Sequence, residues 1–389
     1  MTRLLVLQGP GADPSRRGLV TPPPGSPGAL DDACRGWGAA VGAEVTVVWA
    51  EDVPSLCTAL QHEAAEHDGV VVVAGGAAYE SVVLSDALAA TGLPAVDLHL
   101  RDLRRSGRDP ARSRLVEAGA RVIHGRGVDG YRWALAHLAA RIAHPAVGCR
   151  YGEAPDHVAD LRVPDEEQPP HRVAVLLHGG FWYAPWERDL MDGLAVALTA
   201  DGWATWNVEY RRVGAGGGWP AAHDDVCAAL DHLAELATEW WLEPREVVVI
   251  GHSVGAQLAL LTAAQQRPLV RPRLVVSLCG VLDLAAAHAT GLGDGAVAAL
   301  LGDPPPAAAL RAASPLAQLP LGTPLLLAHP LADQLVPAAQ SRAFAAAARA
   351  AGDEVSLLEL DGDDHFAPID PRAPAWQVVA ERLRAAPLR

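Results

Sequence analysis

The sequence predicts an α/β protein with two domains in series, residues 1–148 and 149–389. Three observations predict it: apolar strand-like runs alternate with helical patterns along the chain, the chain has 389 residues, and half of those residues are apolar. Such alternation is typical of sheets covered by helices, and the length is sufficient for two cores. The junction is expected between His144 and Cys149.

The first domain contains five predicted strands separated by helical patterns. The predicted strands are Leu4–Leu7, Val45–Val48, Val70–Val73, Ala95–Leu98 and Arg121–Ile123. The predicted helices are Ala33–Ala40, Val53–Glu66, Ser81–Ala90, Ala111–Ala118 and Tyr131–Ile142. We therefore expect an open, flavodoxin-like parallel sheet of five strands, with helices on both faces and ligands beyond the carboxyl ends of the strands.

A candidate nucleophile lies in the second domain. The β-prone run Val247–Ile250 leads directly into Gly251-His252-Ser253-Val254-Gly255, and an apolar helical stretch, Ala256–Ala263, follows. In this context the serine of Gly-x-Ser-x-Gly is held on a sharp elbow that exposes its hydroxyl, because the glycines let strand and helix pack closely. Ser253 is therefore the predicted nucleophile.

A serine nucleophile needs donors for the oxyanion, and two places in the chain supply them. The apolar run Val173–Leu177 ends in His178-Gly179-Gly180-Phe181-Trp182, where the glycines leave backbone N–H groups uncovered. The N–H directly after the nucleophile is the expected second donor. Gly179, Gly180 and Val254 are therefore the predicted oxyanion hole.

The general base and its orienting acid are expected after later strands. His365 follows the predicted strand Val355–Leu360, and Asp333 lies in the loop after the predicted strand Pro324–Ala328. Nucleophile, acid and base thus occur in the chain order Ser253, Asp333, His365. The alternative acids are Asp283, which follows the run Leu274–Cys279, and Asp361, Asp363 and Asp364 near the base. The flanking histidines, His178 and His252, are expected only to shape the site.

From about Tyr151 to its C-terminus, the chain resembles the α/β-hydrolases, in particular the arylformamidase (kynurenine formamidase) and carboxylesterase branch. The resemblance rests on Tyr151-Gly152-Glu153, on the 178–182 and 251–256 motifs, and on His365. It implies that a serine attacks an acyl or formyl carbonyl, that water hydrolyses the acyl-enzyme, and that no metal or cofactor is required. Phe181 stands where many esterases have a third glycine, and the following Trp182 is similar to the formamidases.

Aromatic residues next to the oxyanion loop are candidate substrate contacts. Phe181, Trp182 and Trp186 would place flat rings beside the nucleophile, which suits an aryl-amide or another aromatic substrate. Packing at the rim of the cleft is the alternative for Trp186. The segment Ala285–Ala313, rich in Ala and Gly, is expected to form helices over the pocket, as lids do.

The first domain resembles type II 3-dehydroquinate dehydratase along almost its whole length. The similar segments are Leu5–Pro10, Asp68–Val72, Ser81–Leu88, Val96–Leu100 and Gly127–Tyr131. Members of that family form trimers that associate further into dodecamers. The resemblance therefore implies a homo-oligomer formed through residues 1–148.

The chemistry that this second resemblance implies is incomplete in the chain. The family abstracts a proton with an arginine-activated tyrosine on the loop after the first strand, and no tyrosine occurs between residues 9 and 31. Two family asparagines correspond to Gly11 and Val73, and the substrate-polarising histidine corresponds to Tyr79. The retained residues are Asp97, His99 and one of Arg16 and Arg17. Since a general base contributes about 10² to 10⁴ in rate, the first domain is predicted to be catalytically silent.

Composition excludes several functional classes. The chain has no lysine, which rules out a Schiff-base lysine and a Walker-type phosphate loop. The formal charge is −15, and residues 149–389 hold 17 arginines against 30 acidic residues, which argues against nucleic acid or an anionic membrane as a partner. Five scattered cysteines indicate neither a disulfide framework nor a zinc site. The apolar run after Met1 is too short for a signal peptide, so a cytoplasmic location is expected.

The expected function is that of a serine hydrolase acting on a small ester or (aryl)formamide. Two alternatives remain: a non-catalytic binding or scaffold protein, and a bifunctional protein with residual 3-dehydroquinate dehydratase activity. No metal, cofactor, nucleic acid or membrane is expected to bind.

Overall fold

The computed structural model describes residues 1–10, 27–101, 103, 108, 112–125, 127–164, 169–184, 186–265, 268–362 and 364–385. The chain divides into two compact units, Met1–Pro145 and Ala146–Arg389. A strand that begins at Val147 already pairs within the second sheet, so this division falls slightly before the junction expected after residue 148. Five residues named above lie outside the described residues, and they are Gly11, Arg16, Arg17, Ala111 and Asp363.

The first unit contains an open parallel sheet. Its strands are β1 (Thr2–Gln8), β2 (Ala43–Trp49), β3 (Gly69–Val73), β4 (Ala95–His99) and β5 (Arg121–His124). Among the described residues the strand order is β2-β1-β3-β4-β5, and each neighbouring pair is parallel. This order is that of the flavodoxin-like sheets, which confirms the predicted fold class.

Helices cover both faces of this sheet. They are α1 (Pro27–Ala40), α2 (Val53–Glu63), α3 (Ala77–Glu80), α4 (Val82–Thr91), α5 (Arg114–Glu117) and α6 (Asp129–Ala143), with a 3-10 turn at Ala64–Glu66. Because side chains alternate along a strand, Leu4 and Val6 pack with α1 and α6, whereas Leu5 and Leu7 pack with α2 and α4. The helix predicted over 111–118 begins outside the described residues, and α5 is its described part.

The second unit is built on a mixed sheet. Its strands are β6 (Val147–Arg150), β7 (Val158–Arg162), β8 (His171–Leu177), β9 (Ala204–Val208), β10 (Leu242–His252), β11 (Leu274–Leu278), β12 (Leu325–Pro330) and β13 (Val355–Leu360). In the described part of the chain the order is β13-β12-β11-β10-β8-β9-β7-β6. Strand β7 runs antiparallel to β6 and β9, and the other neighbours are parallel.

Two helical layers enclose this sheet. The helices of the unit are α7 (Asp192–Ala200), α8 (Ala221–Leu236), α9 (Val254–Ala263), α10 (Leu284–Ala289), α11 (Leu292–Leu301), α12 (Ala307–Ala313), α13 (Ala339–Ala351) and α14 (Pro374–Ala385), with 3-10 turns at Arg188–Met191, Pro315–Gln318 and Ala367–Ile369. Helices α8, α9 and α13 pack on one face around Trp206 and Phe344, and α7 and α14 pack on the other around Leu194 and Trp376. No helix in the described ranges is both long and apolar enough to cross a bilayer.

Candidate active site

Ser253 lies on the sharp turn between β10 and α9. Its backbone has φ 56° and ψ −117°, a positive-φ conformation that is strained for a residue with a side chain. A Cβ at Gly251 would lie 2.2 Å from the Gly255 carbonyl oxygen, and a Cβ at Gly255 would lie 2.2 Å from the Leu177 carbonyl oxygen. Only glycine fits at both positions, so strand and helix approach closely enough to hold the serine on the elbow.

The surroundings of Ser253 differ from the sequence expectation in one respect. The elbow was expected to expose the hydroxyl, but the residue is only 2% exposed. The physical reason is the oxyanion loop that follows β8, because a Cβ at Gly179 would lie 2.9 Å from Ser253 Cβ. The elbow is thus covered by this loop.

Asp333 and His365 form a hydrogen-bonded pair at the carboxyl edge of the second sheet. The distance between His365 Nδ1 and Asp333 Oδ2 is 2.6 Å, and both side chains are buried. A carboxylate only accepts, so Nδ1 carries the proton and Nε2 is left as the basic nitrogen. This is the arrangement that a general base and its orienting acid require.

The carboxylate of Asp333 is held ionised by several donors. Burial alone would raise the pKa of Asp333, but hydrogen bonds from His329 and His365 outweigh burial and hold that pKa well below its usual range. The second oxygen, Oδ1, accepts the backbone N–H groups of Leu335 at 2.8 Å and Val336 at 3.0 Å. Asp333 is therefore fixed in both charge and orientation.

Two of the alternative acids, Asp283 and Asp364, accept hydrogen bonds from backbone N–H groups. Asp283 caps α10, where its Oδ1 accepts the N–H groups of Ala285 at 3.0 Å and Ala286 at 3.1 Å. Asp364 accepts the N–H of Phe366 at 2.8 Å. Neither carboxylate is bonded to the ring of His365 in the described part of the chain.

The predicted nucleophile and the predicted base are connected through His252, which directly precedes Ser253 in the chain. The ring centroids of His252 and His365 are 4.7 Å apart, and His252 Nε2 donates to the His365 carbonyl oxygen at 3.0 Å. Within the described residues no hydrogen bond joins the Ser253 hydroxyl to the His365 ring. Such contacts commonly tighten only when substrate binds. The hydrogen bond between Ser253 and His365 therefore stays a prediction.

Both glycines of the oxyanion loop are required by close packing. A Cβ at Gly179 would lie 2.8 Å from His252 Nδ1. Gly180 has φ 112°, and a Cβ at this position would collide with the Trp186 side chain. The N–H of Val254 lies at the first turn of α9, where the helix dipole favours negative charge. Gly179 and Val254 thus lie beside Ser253, with Gly180 next to Gly179 in the chain, and their role as oxyanion donors stays a prediction.

The three predicted aromatic contacts have different environments. Phe181 and Trp182 have φ 51° and 60°, so the chain turns sharply after the glycines. Trp182 is 1% exposed and its Nε1 donates to Gln257 at 3.2 Å, which places this ring in the core. Trp186 is partly exposed, and its ring is stacked 6.2 Å from that of Phe366. Phe181 and Trp186 therefore present more surface to a ligand than Trp182 does.

An apolar cluster, here called the lid cluster, lies next to the nucleophile elbow. It joins Trp182 and Val254 to the helical segment that was expected to cover the pocket, and its further members include Val281, Leu284, Ala287, Val297 and Leu300. Phe181 packs at its margin against the start of α11, where a Cβ at Gly293 would lie 2.4 Å from the phenyl ring. The core that adjoins the elbow on this side is therefore apolar.

Two residues near the site, Cys279 and Glu209, were not predicted from the sequence as site residues. Cys279, at the end of β11, lies 3.5 Å from the His365 carbonyl oxygen through its Sγ atom. Burial, reinforced by the charge of Asp333, raises the pKa of this thiol well above its ordinary value. Glu209, directly after β9, lies 3.0 Å from His178 Nε2. No sequence motif marked either residue, although both directly follow strands.

Two sets of side chains could offer ligand atoms to a metal ion. Among the described residues, ligand atoms lie within 4.8 Å of one another in His252, Cys279 and His365, and in Cys279, His329 and Asp333. Both sets use the protonated thiol of Cys279 and a member of the Asp333–His365 pair. A metal ion here would therefore have to displace protons and disrupt the acid–base pair.

The carboxyl edge of the first sheet carries a different polar cluster. His99 Nε2 donates to Asp97 Oδ2 at 2.9 Å, and the Ser113 hydroxyl donates to the same oxygen at 2.6 Å. The Tyr79 ring lies 5.7 Å from the His99 ring, and the Arg108 guanidinium lies 5.1 Å from the Tyr79 ring centre. The retained Asp97 and His99 are thus brought together.

The sheet order of the second unit and the sharp turn at Ser253 define an α/β-hydrolase fold, and residues 159–347 match the BD-FAE family model. A truncated carbohydrate esterase from gut microbiota has the same fold, with 19% identity, a TM-score of 0.54, and coverage of 61% of this chain and 94% of that one. A Thermogutta terrifontis esterase gives 22% identity, a TM-score of 0.52, and coverage of 62% and 90%. The C-terminal part of the chain therefore carries a BD-FAE domain with this fold.

The N-terminal part matches the class II dehydroquinase model over residues 26–139. The 3-dehydroquinate dehydratase 1 of Corynebacterium efficiens is 34% identical over 140 residues, which are 35% of this chain and 91% of that relative. The Salinispora arenicola enzyme is 38% identical over 115 residues, covering 29% and 78%. The chain spans about half the length of another relative, from Rhodopseudomonas palustris. Through its N-terminal part, the chain belongs to the class II dehydroquinase family.

Proposed function

We propose that the second unit is a serine hydrolase that cleaves a small ester or (aryl)formamide through an acyl-enzyme. The observation that carries the proposal is the 2.6 Å bond between His365 Nδ1 and Asp333 Oδ2 beside a strained serine elbow. A non-catalytic scaffold has no need for a buried acid–base pair or for backbone strain at one serine. These two features favour the enzyme over the scaffold alternative.

In the first half-reaction, His365 Nε2 takes the proton of the Ser253 hydroxyl while Oγ attacks the substrate carbonyl carbon. The electron pair of the carbonyl moves to its oxygen, and the N–H groups of Gly180 and Val254 donate to that oxyanion. The imidazolium is stabilised by Asp333. Collapse of the tetrahedral intermediate breaks the bond to the alcohol or arylamine, which leaves with the proton from His365.

In the second half-reaction, water takes the place of the leaving group. His365 removes a proton from this water, whose oxygen attacks the acyl carbon and forms a second oxyanion at the same donors. The ester bond to Ser253 then breaks, and the hydroxyl regains its proton from His365. The products are a carboxylic acid, or formate from a formamide, and the free enzyme.

The proposed substrate class follows from the partly exposed aromatic residues that come after the glycines of the 178–182 motif. The partly exposed ring of Phe181, which packs on the buried lid cluster, favours an uncharged acyl or aryl group of modest size. Phe181 and Trp186 are the proposed ring contacts. The cytoplasmic location expected from the sequence stays a prediction.

For the first unit we propose assembly without dehydration. Its apolar strands and helices form a complete core, while the family's tyrosine, asparagines and polarising histidine are replaced. Static light scattering of the full chain tests the assembly, and we expect a mass that is a multiple of 40.6 kDa. A monomer would contradict it.

A fluorophosphonate probe tests the hydrolase proposal most directly. The probe phosphonylates an activated serine, so wild-type protein should be labelled at Ser253 and the Ser253→Ala variant should not. A screen of p-nitrophenyl esters and N-formylkynurenine then ranks ester against formamide substrates. Wild-type protein that stays unlabelled and hydrolyses none of these compounds would refute the proposal.

A further inference from the structure

A buried ionic cluster lies behind the oxyanion loop, and the proposed mechanism does not yet use it. We propose that His178 is held as an imidazolium by Glu209 and strengthens the oxyanion donor at Gly180 through the peptide group that joins Gly179 to Gly180. His178 and Glu209 are then positioning residues of the hydrolase, and this inference rests on the function proposed above.

The charge of His178 follows from its two partners. Its Nε2 lies 3.0 Å from Glu209 Oε1, and its Nδ1 lies 2.7 Å from the carbonyl oxygen of Gly179. A carbonyl oxygen and an ionised carboxylate can only accept, so each ring nitrogen must donate. An imidazole with protons on both nitrogens carries a positive charge.

Glu209 is ionised although it is buried. Burial would raise the pKa of this carboxyl, but the charge and hydrogen bond of His178, followed by Arg212 and the N–H of Arg188, lower that pKa to about 2. Oε1 also lies 3.3 Å from Arg212 Nε, and Oε2 accepts the Arg188 N–H at 3.0 Å. The buried carboxylate thus has the charged partners that burial of an ion requires.

The connection to the oxyanion runs through one peptide group. The Gly179 carbonyl and the Gly180 N–H belong to the same amide, so a cationic donor on the carbonyl oxygen polarises the amide and makes its N–H a stronger donor. The substrate oxygen that faces this N–H becomes negatively charged only as the tetrahedral intermediate forms. The benefit therefore belongs to the transition state and should appear in kcat more than in KM.

The geometry of this cluster is fixed on several sides. The Tyr210 hydroxyl donates to the His178 carbonyl oxygen at 2.8 Å, and the two rings stack with centroids 4.3 Å apart and an interplanar angle of 11°. Arg212 Nη1 donates to the carbonyl oxygens of Ala184 at 2.9 Å and Trp186 at 2.7 Å. The imidazolium and the loop it supports are therefore held in one orientation.

The kinetic test compares Glu209→Gln with Asp156→Asn in the full chain. Asp156 Oδ2 lies 3.2 Å from Arg212 Nη2, and among the described residues Asp156 makes no contact with His178. Asp156→Asn therefore removes a carboxylate partner of Arg212 without removing the partner of His178. We expect Glu209→Gln to lower kcat by about tenfold to a hundredfold with KM within twofold, since loss of a whole oxyanion donor costs about 10² to 10³. Asp156→Asn should keep both constants within twofold. An unchanged kcat in Glu209→Gln would overturn the inference.

Nitrogen-15 NMR of the histidine rings gives a readout that does not depend on turnover. In the wild-type protein near pH 7 we expect both nitrogens of His178 to resonate as protonated, with the signal assigned by its loss in His178→Asn. If Glu209→Gln fails to fold, His178→Asn also serves as the kinetic variant, because it leaves Glu209 paired with Arg212, and the same loss of kcat is expected. A neutral His178 in the wild-type protein would overturn the inference. An unlabelled Ser253 with a doubly protonated His178 would instead refute the hydrolase proposal.

Discussion

The carboxyl edges of the two sheets hold the same three residue types in different connections. In the second unit the carboxylate of Asp333 accepts from His365, whose other nitrogen is free to serve the proposed nucleophile. In the first unit Asp97 accepts from both His99 and the Ser113 hydroxyl, so the serine donates to the carboxylate and not to the imidazole. Whether a serine can be activated therefore depends on which hydrogen bonds join the three side chains, and not only on the presence of Ser, His and Asp.

Removal of the proposed nucleophile should have the largest effect on the activity of the second unit. Ser253→Ala should lower kcat for ester hydrolysis by about 10⁶, because loss of the nucleophile alone removes most of the effect of a serine triad. The measurement is turnover of a p-nitrophenyl ester by purified protein with unchanged circular dichroism. Ser277→Ala is the matched control, since Ser277 is a buried serine on the neighbouring strand β11 and should keep its activity. More than a few per cent of wild-type turnover in Ser253→Ala would move the nucleophile elsewhere.

The orienting acid should give the next largest effect. Asp333→Asn should lower kcat by up to about 10⁴ with little change in KM, because the amide favours the wrong tautomer of His365. Asp283→Asn should leave kcat nearly unchanged and cost at most about 1 kcal/mol of stability through the cap of α10. Steady-state kinetics and urea denaturation measure the two effects. The reverse ranking would assign the acid role to Asp283.

A buried neutral histidine should make the second unit sensitive to acid. Burial, aided by the charge of His365, lowers the pKa of His252 to about 3 from 6.5. The unfolded chain binds this proton below pH 6.5, and the folded chain binds it only near pH 3. As the pH falls from 6.5 to 3, this histidine therefore lowers the free energy of unfolding by up to about 1.4 kcal/mol per pH unit. His252→Gln should show a shallower loss of stability between pH 6.5 and pH 4 in urea denaturation. An identical slope would contradict the assignment.

The smallest expected effect concerns the first unit. Purified protein should release no water from 3-dehydroquinate above background, because no tyrosine base is present between residues 9 and 31. His99→Ala should leave ester hydrolysis within twofold of the wild type. An ultraviolet assay of enone formation measures the dehydration. Measurable dehydratase turnover that disappears in His99→Ala would show that the first unit is an enzyme.

Strands and elbow could be predicted because their signals are local. A continuous apolar run marks most of the buried parallel strands, and the Gly251–Gly255 motif marks the turn after β10. Strand β9 escaped prediction because its buried interior includes Thr205 and Asn207, which interrupt the apolar run. The amide nitrogen of Asn207 is bonded to residues outside the strand, since Nδ2 donates to Asp192 Oδ1 at 3.0 Å and to the Arg188 carbonyl oxygen at 2.8 Å. Strands β6 and β7 escaped because each is short and partly exposed.

The candidate site was predictable only where residues follow recognised strands. Asp333 and His365 come after apolar runs, and the structure brings them together. Glu209 follows the strand that was missed, and its partner His178 lies 31 residues earlier. A buried ion pair over such a separation leaves no periodic pattern in the sequence, because it depends on how two strands are placed side by side.

The strained backbone at residue 253 has a consequence for protein engineering. Main-chain packing of Gly251 against Gly255, and not a particular side chain, determines where the Cβ of this residue points. In the proposed mechanism, a thiol introduced by Ser253→Cys would start from the same Cβ and use the same base, His365. The second unit could thereby be converted to cysteine chemistry, with thioester intermediates, by exchange of a single atom.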